Sequence, residues 1–351
     1  MSFMTRPTAR HPKLPVNELG LTVRDYEGGM STLCAGCGHD SITAAIVQSA
    51  FELSIPTHRF AKLSGIGCSS KTPAYFLRDS HGFNSTHGRM PSVATGANSA
   101  NRDLTYIGVS GDGDSLSIGM GQFAHAIRRN LNMVYIIENN GVYGLTKGQF
   151  SAAADKGSKA KKGEVNLQPA IDPCQTAITL GASFVARSFS GDKDQLVPLL
   201  KAAMKHQGFS LVDIISPCVT FNDHVGSTKS YEYTRAHFSP AIATDFVPPA
   251  EEIKAKYNEG EAMQVELHDG SHIVLRKIDK DFNPTDRISA MSNLQKNNAA
   301  GEITTGLLYV DESQAEMHEL NNTSSTPLVD LPYDKVCPGN DMLQKIQARY
   351  R

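Results

Sequence analysis

The sequence contains no apolar run near the roughly 20 residues that a helix needs to cross a bilayer. Its formal net charge of −2 gives no reason to expect binding to nucleic acid or to an anionic membrane. The N-terminal segment lacks the apolar core of a secretory signal, which predicts a cytoplasmic protein. Six cysteines in 351 residues do not make a disulfide scaffold, so metal or redox chemistry is the better interpretation of them.

The composition and the apolar patterns predict one α/β domain with flanking segments. A hydrophobic content of 40% and a charged content of 20% suit a globular protein with a substantial core. Apolar strands that alternate with helical patterns predict a doubly wound, mostly parallel sheet between residues 31 and 225. Residues 1–30 are expected to form an N-terminal arm. Residues 226–351 form a C-terminal extension in which Asp269-Gly270, between alternating apolar residues, predicts a β-hairpin.

Two glycine-bearing turns each follow an apolar strand. Residues 104–110 lead into Gly111-Asp112-Gly113-Asp114, and residues 133–137 lead into the Glu138-Asn139-Asn140-Gly141 turn. A stretch with apolar residues close to helical spacing separates them, so the unit is strand, turn, helix, strand. The two turns should therefore lie side by side at the carboxyl edge of a parallel sheet, where open α/β sheets bind ligands.

These turns have the chemistry of a diphosphate site. Glycines let the backbone approach a diphosphate closely, and a helix start presents free N–H groups to it. Asp112 and Asn140 offer oxygen ligands of the kind that Mg²⁺ prefers. The combination of the two turns resembles the diphosphate motif of thiamine-diphosphate enzymes, whereas an ordinary βαβ unit is the simpler alternative.

Four cysteines are candidates for a metal centre. Cys34 and Cys37 form a C-x-x-C pair before a helix, while Cys68 and Cys218 each follow the end of a predicted strand. Since the carboxyl ends of parallel strands share one edge, all four thiols can converge. Four thiolates suit either a [4Fe–4S] cluster or zinc, with a buried structural thiol as the alternative for Cys218.

Several further residues are candidates for contacts with a bound ligand. His87 and the following backbone amides can donate to a diphosphate, although a solvated loop explains His87 equally simply. Lys71 follows a candidate cluster cysteine, and Lys147 follows the second glycine turn. Each lysine adds a positive charge next to one of these motifs, and the alternative for both is a solvated surface lysine.

The motifs, taken in order, resemble those of 2-oxoacid:ferredoxin oxidoreductase β subunits, most closely the 2-oxoglutarate:ferredoxin oxidoreductase (2-oxoglutarate synthase) branch. The resemblance covers residues 31 to about 225. The motifs are CAGCGHD (34–40), GIGCSSK (65–71), THGRMPSVATG (86–96), GDGDSLSIGMGQF (111–123), ENNGVYGLTKGQ (138–149) and SPCVTFND (216–223).

The resemblance implies a complete set of cofactors. It implies Mg²⁺ on Asp112, Asn140 and the carbonyl of Val142, and a [4Fe–4S] cluster rather than zinc on the four cysteines. Lys71, Lys147 and His87 are the candidate catalytic residues. The candidate cofactor-binding residues are Gly67, Cys68, Ser69, His87, Gly88, Gly111, Asp112, Gly113, Asp114, Asn140, Val142, Tyr143, Gly144, Leu145 and Thr146.

The implied reaction is the thiamine-diphosphate-dependent oxidative decarboxylation of 2-oxoglutarate to succinyl-CoA and CO₂, with coenzyme A as cosubstrate and ferredoxin as electron acceptor, or its reverse. A partner α subunit, in an α2β2 assembly, is expected to complete the site. The alternatives are pyruvate or another 2-oxoacid as substrate, a non-oxidative thiamine-diphosphate decarboxylase or synthase, and a non-enzymatic metal-binding scaffold.

Overall fold

The computed structural model describes residues 13–158, 163–220, 253–267, 272–337 and 339–350. Within these residues the strands are β1 (Phe60–Ser64), β2 (His81–Asn84), β3 (Thr105–Gly111), β4 (Met133–Asn139), β5 (Val142–Tyr143), β6 (Gln149–Phe150), β7 (Phe184–Phe189), β8 (Phe209–Ile215), β9 (Ala262–Glu266), β10 (His272–Lys277) and β11 (Glu302–Val310). The α-helices are α1 (Gly38–Glu52), α2 (Met90–Ala100), α3 (Met120–Arg128), α4 (Pro173–Leu180), α5 (Lys193–Lys205), α6 (Arg287–Ala299), α7 (Met317–Leu320), α8 (Tyr333–Val336) and α9 (Gly339–Ala348). None of the helices in these ranges is both long enough and apolar enough to cross a membrane.

Nine of the strands form one sheet in the order β2-β1-β3-β4-β8-β7-β11-β10-β9. The pairs from β2 to β7 are all parallel, β11 joins β7 in antiparallel orientation, and β9 pairs antiparallel with β10. The prediction of a doubly wound, mostly parallel sheet with a C-terminal hairpin is confirmed. The strands of the C-terminal extension continue the same sheet, whereas the Asp269-Gly270 turn and the boundary near residue 225 lie outside the described residues.

Alternation along the central strands divides the core between the two faces of the sheet. On β4, Tyr135 and Ile137 pack with α2, α3 and α4, whereas Val134 and Ile136 pack with α1 and α5. Successive side chains of a strand point to opposite faces, and a central strand covered by helices on both faces is apolar throughout. This explains why β4 is an uninterrupted apolar run up to Glu138.

The register of the sheet brings the chemistry-bearing turns together. Gly111 of β3 pairs with Glu138 of β4, and Asn139 of β4 pairs with Ile215 of β8. The turns that follow these three strands therefore start next to one another at the carboxyl edge, as the sequence predicts.

A buried network of charged side chains links β7, β8 and the start of α4. The Nε atom of Arg187 lies 2.7 Å from Asp213 Oδ2, and its Nη2 atom lies 2.7 Å from Asp172 Oδ1. Asp213 Oδ1 also accepts a hydrogen bond of 3.1 Å from Asn139 Nδ2 at the end of β4. Arg187 and Asp213 are both almost fully buried, so each charge depends on the other for its solvation.

We expect Arg187→Met to lower the free energy of unfolding by about 3–5 kcal/mol, because it leaves the Asp213 carboxylate buried without a counter-ion. Lys201→Met is the matched control: it breaks the half-exposed Lys201–Glu52 pair, which contributes about 0–1 kcal/mol. Denaturant unfolding of the two variants makes the comparison. Losses of equal size would show that the Arg187 network does not stabilise the fold as an ion pair.

Candidate active site

The Asp112 and Asn140 turns meet as the sequence predicts. The backbone N–H of Asn140 lies 3.4 Å from Asp112 Oδ1, and Asn140 Oδ1 accepts a hydrogen bond of 3.0 Å from the Val142 N–H. Gly141, between Asn140 and Val142, has a φ of +74°, in the left-handed region where glycine is favoured. One carboxylate and one amide oxygen are thereby held at the ends of two neighbouring parallel strands.

The charge of Asp112 has no cationic partner among the described residues. Its side chain is 1% exposed, and Oδ2 accepts a short hydrogen bond from the Ser151 hydroxyl. Burial raises the pKa of Asp112 to about 6, although the bonds from Ser151 and from Asn140 oppose the rise. A divalent cation would stabilise the charged form, so a hard cation with oxygen ligands fits this donor set. Ser151 is 39 residues away in sequence, and no pattern indicates its role.

Asp114 lies in the cavity wall, and its carboxylate also binds the loops that surround the site. Its Oδ1 accepts a 2.7 Å bond from the Gly88 N–H and a short bond from His87 Nδ1, and Oδ2 accepts from the Ser110 hydroxyl at 2.6 Å. A Cβ at Gly65 would lie 1.7 Å from Asp114 Oδ2. The second aspartate of the glycine turn thus joins the ends of β1 and β3 to the loop before α2.

The expected helix after Asp114 does not start as an α-helix. Residues Gly113–Ile118 form a π-helical turn, the Gly119 N–H bonds to the Asp114 carbonyl at 2.9 Å, and α3 begins at Met120. Ile118, which the helical spacing places on the buried stripe, is 46% exposed. The wider turn brings Gly119 against Gly88, where a Cβ at Gly88 would lie 2.8 Å from Gly119 Cα. Such turns often occur at functional sites.

One cavity joins the glycine turns to a cysteine. Tyr143 closes one side: its hydroxyl donates to the Gly113 carbonyl at 2.9 Å, and a Cβ at Gly113 would lie 2.5 Å from its ring. All of the predicted cofactor-binding residues except Gly88 line this cavity. The lining consists of His39, Ile66, Gly67, Cys68, Ser69, His87, Gly111, Asp112, Gly113, Asp114, Glu138, Asn140, Val142, Tyr143, Gly144, Leu145 and Thr146.

The three candidate catalytic residues are placed differently. His87 lines the cavity, and its ring makes an edge contact with Tyr143 at 6.1 Å between centroids. Lys71 is half-buried beside Cys68, one turn further along a 3-10 helix (Ser69–Ala74). Lys147 is exposed and has a φ of +79°. Neither lysine is among the residues that line the cavity.

The four candidate cysteines gather at the same edge of the sheet. Cys34 and Cys37 lie in the turn that leads into α1, Cys68 follows β1, and Cys218 follows β8. The Thr220 hydroxyl donates to Cys34 Sγ at 3.4 Å, which joins the Cys34 turn to the Cys218 turn.

The thiols are close enough to influence one another electrostatically. Burial raises the pKa of Cys37 to about 12, and the negative charges of Glu138 and Cys218 add to the rise. Burial also raises the pKa of Cys68, where Cys218 and Cys34 act in the same direction and Lys71 opposes them. Metal ions deprotonate coordinating thiols, so bound iron or zinc would reverse this tendency. Among the described residues, no three His, Cys, Asp or Glu side chains converge tightly enough to hold a single metal ion.

Two buried residues next to the cysteines were not identified from the sequence. His39 Nδ1 lies 2.6 Å from the Ser216 hydroxyl, and His39 Nε2 lies 3.6 Å from Glu138 Oε2. Burial lowers the pKa of His39 to about 4, which keeps it neutral, and raises the pKa of Glu138 well above its usual range. In the sequence, only the position of a carboxylate at the end of an apolar strand could have indicated Glu138. No sequence pattern indicates the contact of His39 with Ser216.

Comparison with known families agrees with the position of the site. Residues 65–214 match the family described as thiamine pyrophosphate enzyme, C-terminal TPP binding domain. The matched segment contains both glycine turns and Cys68. It begins directly after β1 and contains β2, β3, β4, β7 and all of β8 except Ile215.

Individual relatives carry more specific names. The chain is 44% identical over 191 residues to a 2-oxoacid:ferredoxin oxidoreductase subunit beta from a Sulfolobus species, an alignment that covers 54% of this chain and 63% of the relative. It is 36% identical to the 2-oxoglutarate synthase subunit KorB of Methanocaldococcus jannaschii over 54% of this chain and 69% of the relative. The chain thus spans less than two thirds of the Sulfolobus protein.

A solved structure resembles nearly the whole chain. The 2-oxoglutarate:ferredoxin oxidoreductase of Magnetococcus marinus, with 2-oxoglutarate, coenzyme A and succinyl-CoA bound, superimposes with a TM-score of 0.68 at 29% identity. The match covers 93% of this chain and 96% of that one, so it extends through the C-terminal strands.

Proposed function

Because this chain belongs to the 2-oxoacid:ferredoxin oxidoreductase β-subunit family, we propose that it binds thiamine diphosphate, Mg²⁺ and a [4Fe–4S] cluster in a 2-oxoglutarate:ferredoxin oxidoreductase. The observation that carries the proposal is the single cavity in which the Asp112 and Asn140 turns and Cys68 share one lining. This proximity suits the transfer of electrons from a cofactor at the two glycine turns to a cluster at Cys68.

The diphosphate end of the cofactor is proposed to lie against the two glycine turns. Asp112, Asn140 and the Val142 carbonyl would hold Mg²⁺, which commonly bridges protein oxygens and a diphosphate. The π-helical turn at Gly113 supplies free backbone N–H groups, and His87, whose Nδ1 is held by Asp114, has Nε2 left for a ligand. When bound, thiamine diphosphate supplies the stabilisation of the carbanion left by loss of CO₂.

The cluster is proposed to be held by Cys34, Cys37, Cys68 and Cys218. The name of the relatives, 2-oxoacid:ferredoxin oxidoreductase, favours a redox-active cluster over zinc, because Zn²⁺ has no redox chemistry. When bound, a cluster on these four thiolates would supply one-electron transfer toward ferredoxin for the two electrons of the oxidative decarboxylation, and coenzyme A would accept the acyl group.

Lys71 is the proposed partner of the distal carboxylate of 2-oxoglutarate, because it is half-buried and its N–H bonds to the carbonyl of Cys68, which lines the cavity. We expect Lys71→Gln to raise KM for 2-oxoglutarate by roughly 10-fold or more, since a hydrogen bond to a charged group contributes about 1.5–3 kcal/mol. KM for pyruvate, which has no distal carboxylate, should change little.

The matched control is Lys205→Gln, which neutralises an exposed lysine at the end of α5, near the amino edge of the sheet. It should leave both KM values unchanged. Equal increases for 2-oxoglutarate and pyruvate in the Lys71 variant would remove its role in specificity. Measuring both KM values for Lys147→Gln tests whether the exposed Lys147 contributes to substrate specificity.

The proposed activity is tested by purifying the complex with its α subunit and assaying a panel of 2-oxoacids with coenzyme A and a viologen dye. The proposal predicts the highest kcat/KM for 2-oxoglutarate and formation of succinyl-CoA. A preference for pyruvate or a branched 2-oxoacid would support the proposed type of reaction but reject 2-oxoglutarate as the substrate. Decarboxylation without dye reduction, by a colourless protein, would instead identify a non-oxidative thiamine-diphosphate enzyme.

A further inference from the structure

Three contacts fasten the cysteine turn before α1 to the turn after β8. His39 Nδ1 lies 2.6 Å from the Ser216 hydroxyl, and the Thr220 hydroxyl donates to Cys34 Sγ at 3.4 Å. Gly38 is pressed against the same region, since a Cβ there would lie 2.6 Å from Ser190 Oγ and 2.7 Å from Ser216 Oγ. A side chain at position 38 would therefore displace these two hydroxyls.

The other ring nitrogen of His39 faces β4, the strand that leads into Asn140. Its Nε2 atom lies 3.6 Å from Glu138 Oε2, and the Glu138 side chain is completely buried. Neither carboxylate oxygen of Glu138 has a hydrogen-bond partner among the described residues. The neighbouring Thr72 hydroxyl donates to the Ser69 carbonyl at 2.7 Å instead. A buried polar group without a partner costs about 1–3 kcal/mol, and a catalytic or redox site is one of the places where such groups occur.

The spacing of these residues along the chain is regular. His39 is two residues after Cys37, Ser216 is two before Cys218, and Glu138 is two before Asn140. One imidazole therefore lies between the strands and turns that carry two candidate cluster ligands and one candidate magnesium ligand. A planar ring held at one nitrogen and packed at the other is a rigid spacer between these elements.

We propose that His39 is a positioning residue that sets the place of the iron–sulfur cluster relative to the thiamine diphosphate site, through Ser216 on one side and Glu138 on the other. This inference rests on the proposed function, because it assigns His39 to the space between the two cofactors. His39 does not ligate the iron. It orients the turns that do, as residues that contact metal ligands commonly do.

The test uses the full complex with its α subunit, with His39 replaced by alanine, asparagine or glutamine. Asparagine keeps a polar group near the position of Nδ1 and so keeps the Ser216 contact, while glutamine keeps one near Nε2 and so keeps the Glu138 contact. The measurements are iron and thiamine diphosphate content, the EPR spectrum and midpoint potential of the reduced cluster, and the single-turnover rate of cluster reduction by 2-oxoglutarate.

For His39→Ala we expect full iron and thiamine diphosphate content, an altered EPR spectrum, a shifted potential and a rate of cluster reduction lower by roughly 10-fold to 100-fold. The asparagine and glutamine variants should each recover part of the rate. Wild-type EPR, potential and rate in His39→Ala would overturn the proposal.

If His39→Ala loses its iron, Ser216→Ala serves as a milder second variant. A smaller EPR change of the same kind in Ser216→Ala supports the proposal, and an unchanged EPR spectrum and rate of cluster reduction overturn it. The matched control is His206→Ala, which removes a partly buried histidine–serine contact, from His206 Nε2 to Ser183 Oγ at 2.8 Å, at the amino edge of the sheet. It should alter stability only. A wild-type complex without a four-iron cluster would reject the proposed function itself, independently of His39.

Discussion

Asp112→Ala is expected to abolish retention of thiamine diphosphate while the fold and the iron content persist. Asp112 is the carboxylate of the cavity lining whose oxygen lies against the Asn140 backbone, whereas Asp114 accepts hydrogen bonds from His87 and Gly88. Its removal leaves the diphosphate and its magnesium without an anionic protein ligand, and we expect affinity to fall by more than roughly 100-fold.

The measurement is thiamine diphosphate bound per chain after gel filtration in the presence of Mg²⁺. Asp103→Ala is the matched control, because Asp103 is exposed at the opposite end of β3 from Asp112. Circular dichroism and iron content show whether the fold and cluster are retained. Cofactor content at the wild-type level in Asp112→Ala would contradict the assignment of the magnesium site.

Cys68→Ala and Cys218→Ala are each expected to lose or degrade the cluster. Both thiols follow strands at the carboxyl edge, and the pKa of Cys68 responds to Cys218 and Cys34 as well as to burial. The two cysteines outside the proposed ligand set are placed differently: Cys174 is fully buried on α4, and Cys337 lies in the C-terminal segment after α8.

Iron and acid-labile sulfide per chain, with absorbance near 400 nm, measure the outcome. Cys174→Ala and Cys337→Ala are the controls, and both should keep four irons. A full four-iron complement after Cys218→Ala would mean that the fourth ligand lies elsewhere, and one zinc per wild-type chain would reject the cluster.

The sheet and the meeting of its turns could be predicted because they follow from short-range patterns. Apolar strands that end in Gly111-Asp112 and in Asn140-Gly141 identify the carboxyl edge, and the same rule brings Cys68 and Cys218 to it. These inferences need only the alternation of strands and helices and the parallel direction of the strands.

The hydrogen bonds that hold the site residues in place could not be predicted, because they join residues that are far apart in the sequence. The Ser151 bond to Asp112 spans 39 residues, and the contact of His39 with Ser216 spans 177. The π-helical turn after Asp112 was missed for a related reason. The close packing of Gly88 on Gly119 favours it, and the periodicity of apolar residues does not report that packing.

The central claim is that this chain supplies the diphosphate half of a site that a second subunit completes. The described residues contain one set of strand-end glycine turns, and no second such set occurs in the described part of the extension. Activation of the thiazolium needs a carboxylate on the aminopyrimidine, which in the resembling enzymes comes from another α/β domain. We therefore place the pyrimidine end of the cofactor at an interface with the proposed α subunit.

The most direct test is viologen reduction by the isolated chain, reconstituted with iron, sulfide, Mg²⁺ and thiamine diphosphate, in the presence of 2-oxoglutarate and coenzyme A. The chain should bind its cofactors and show no substrate-dependent reduction, and addition of the α subunit should restore turnover. Substantial turnover by the isolated chain would contradict both the interface and the division of the site between two subunits.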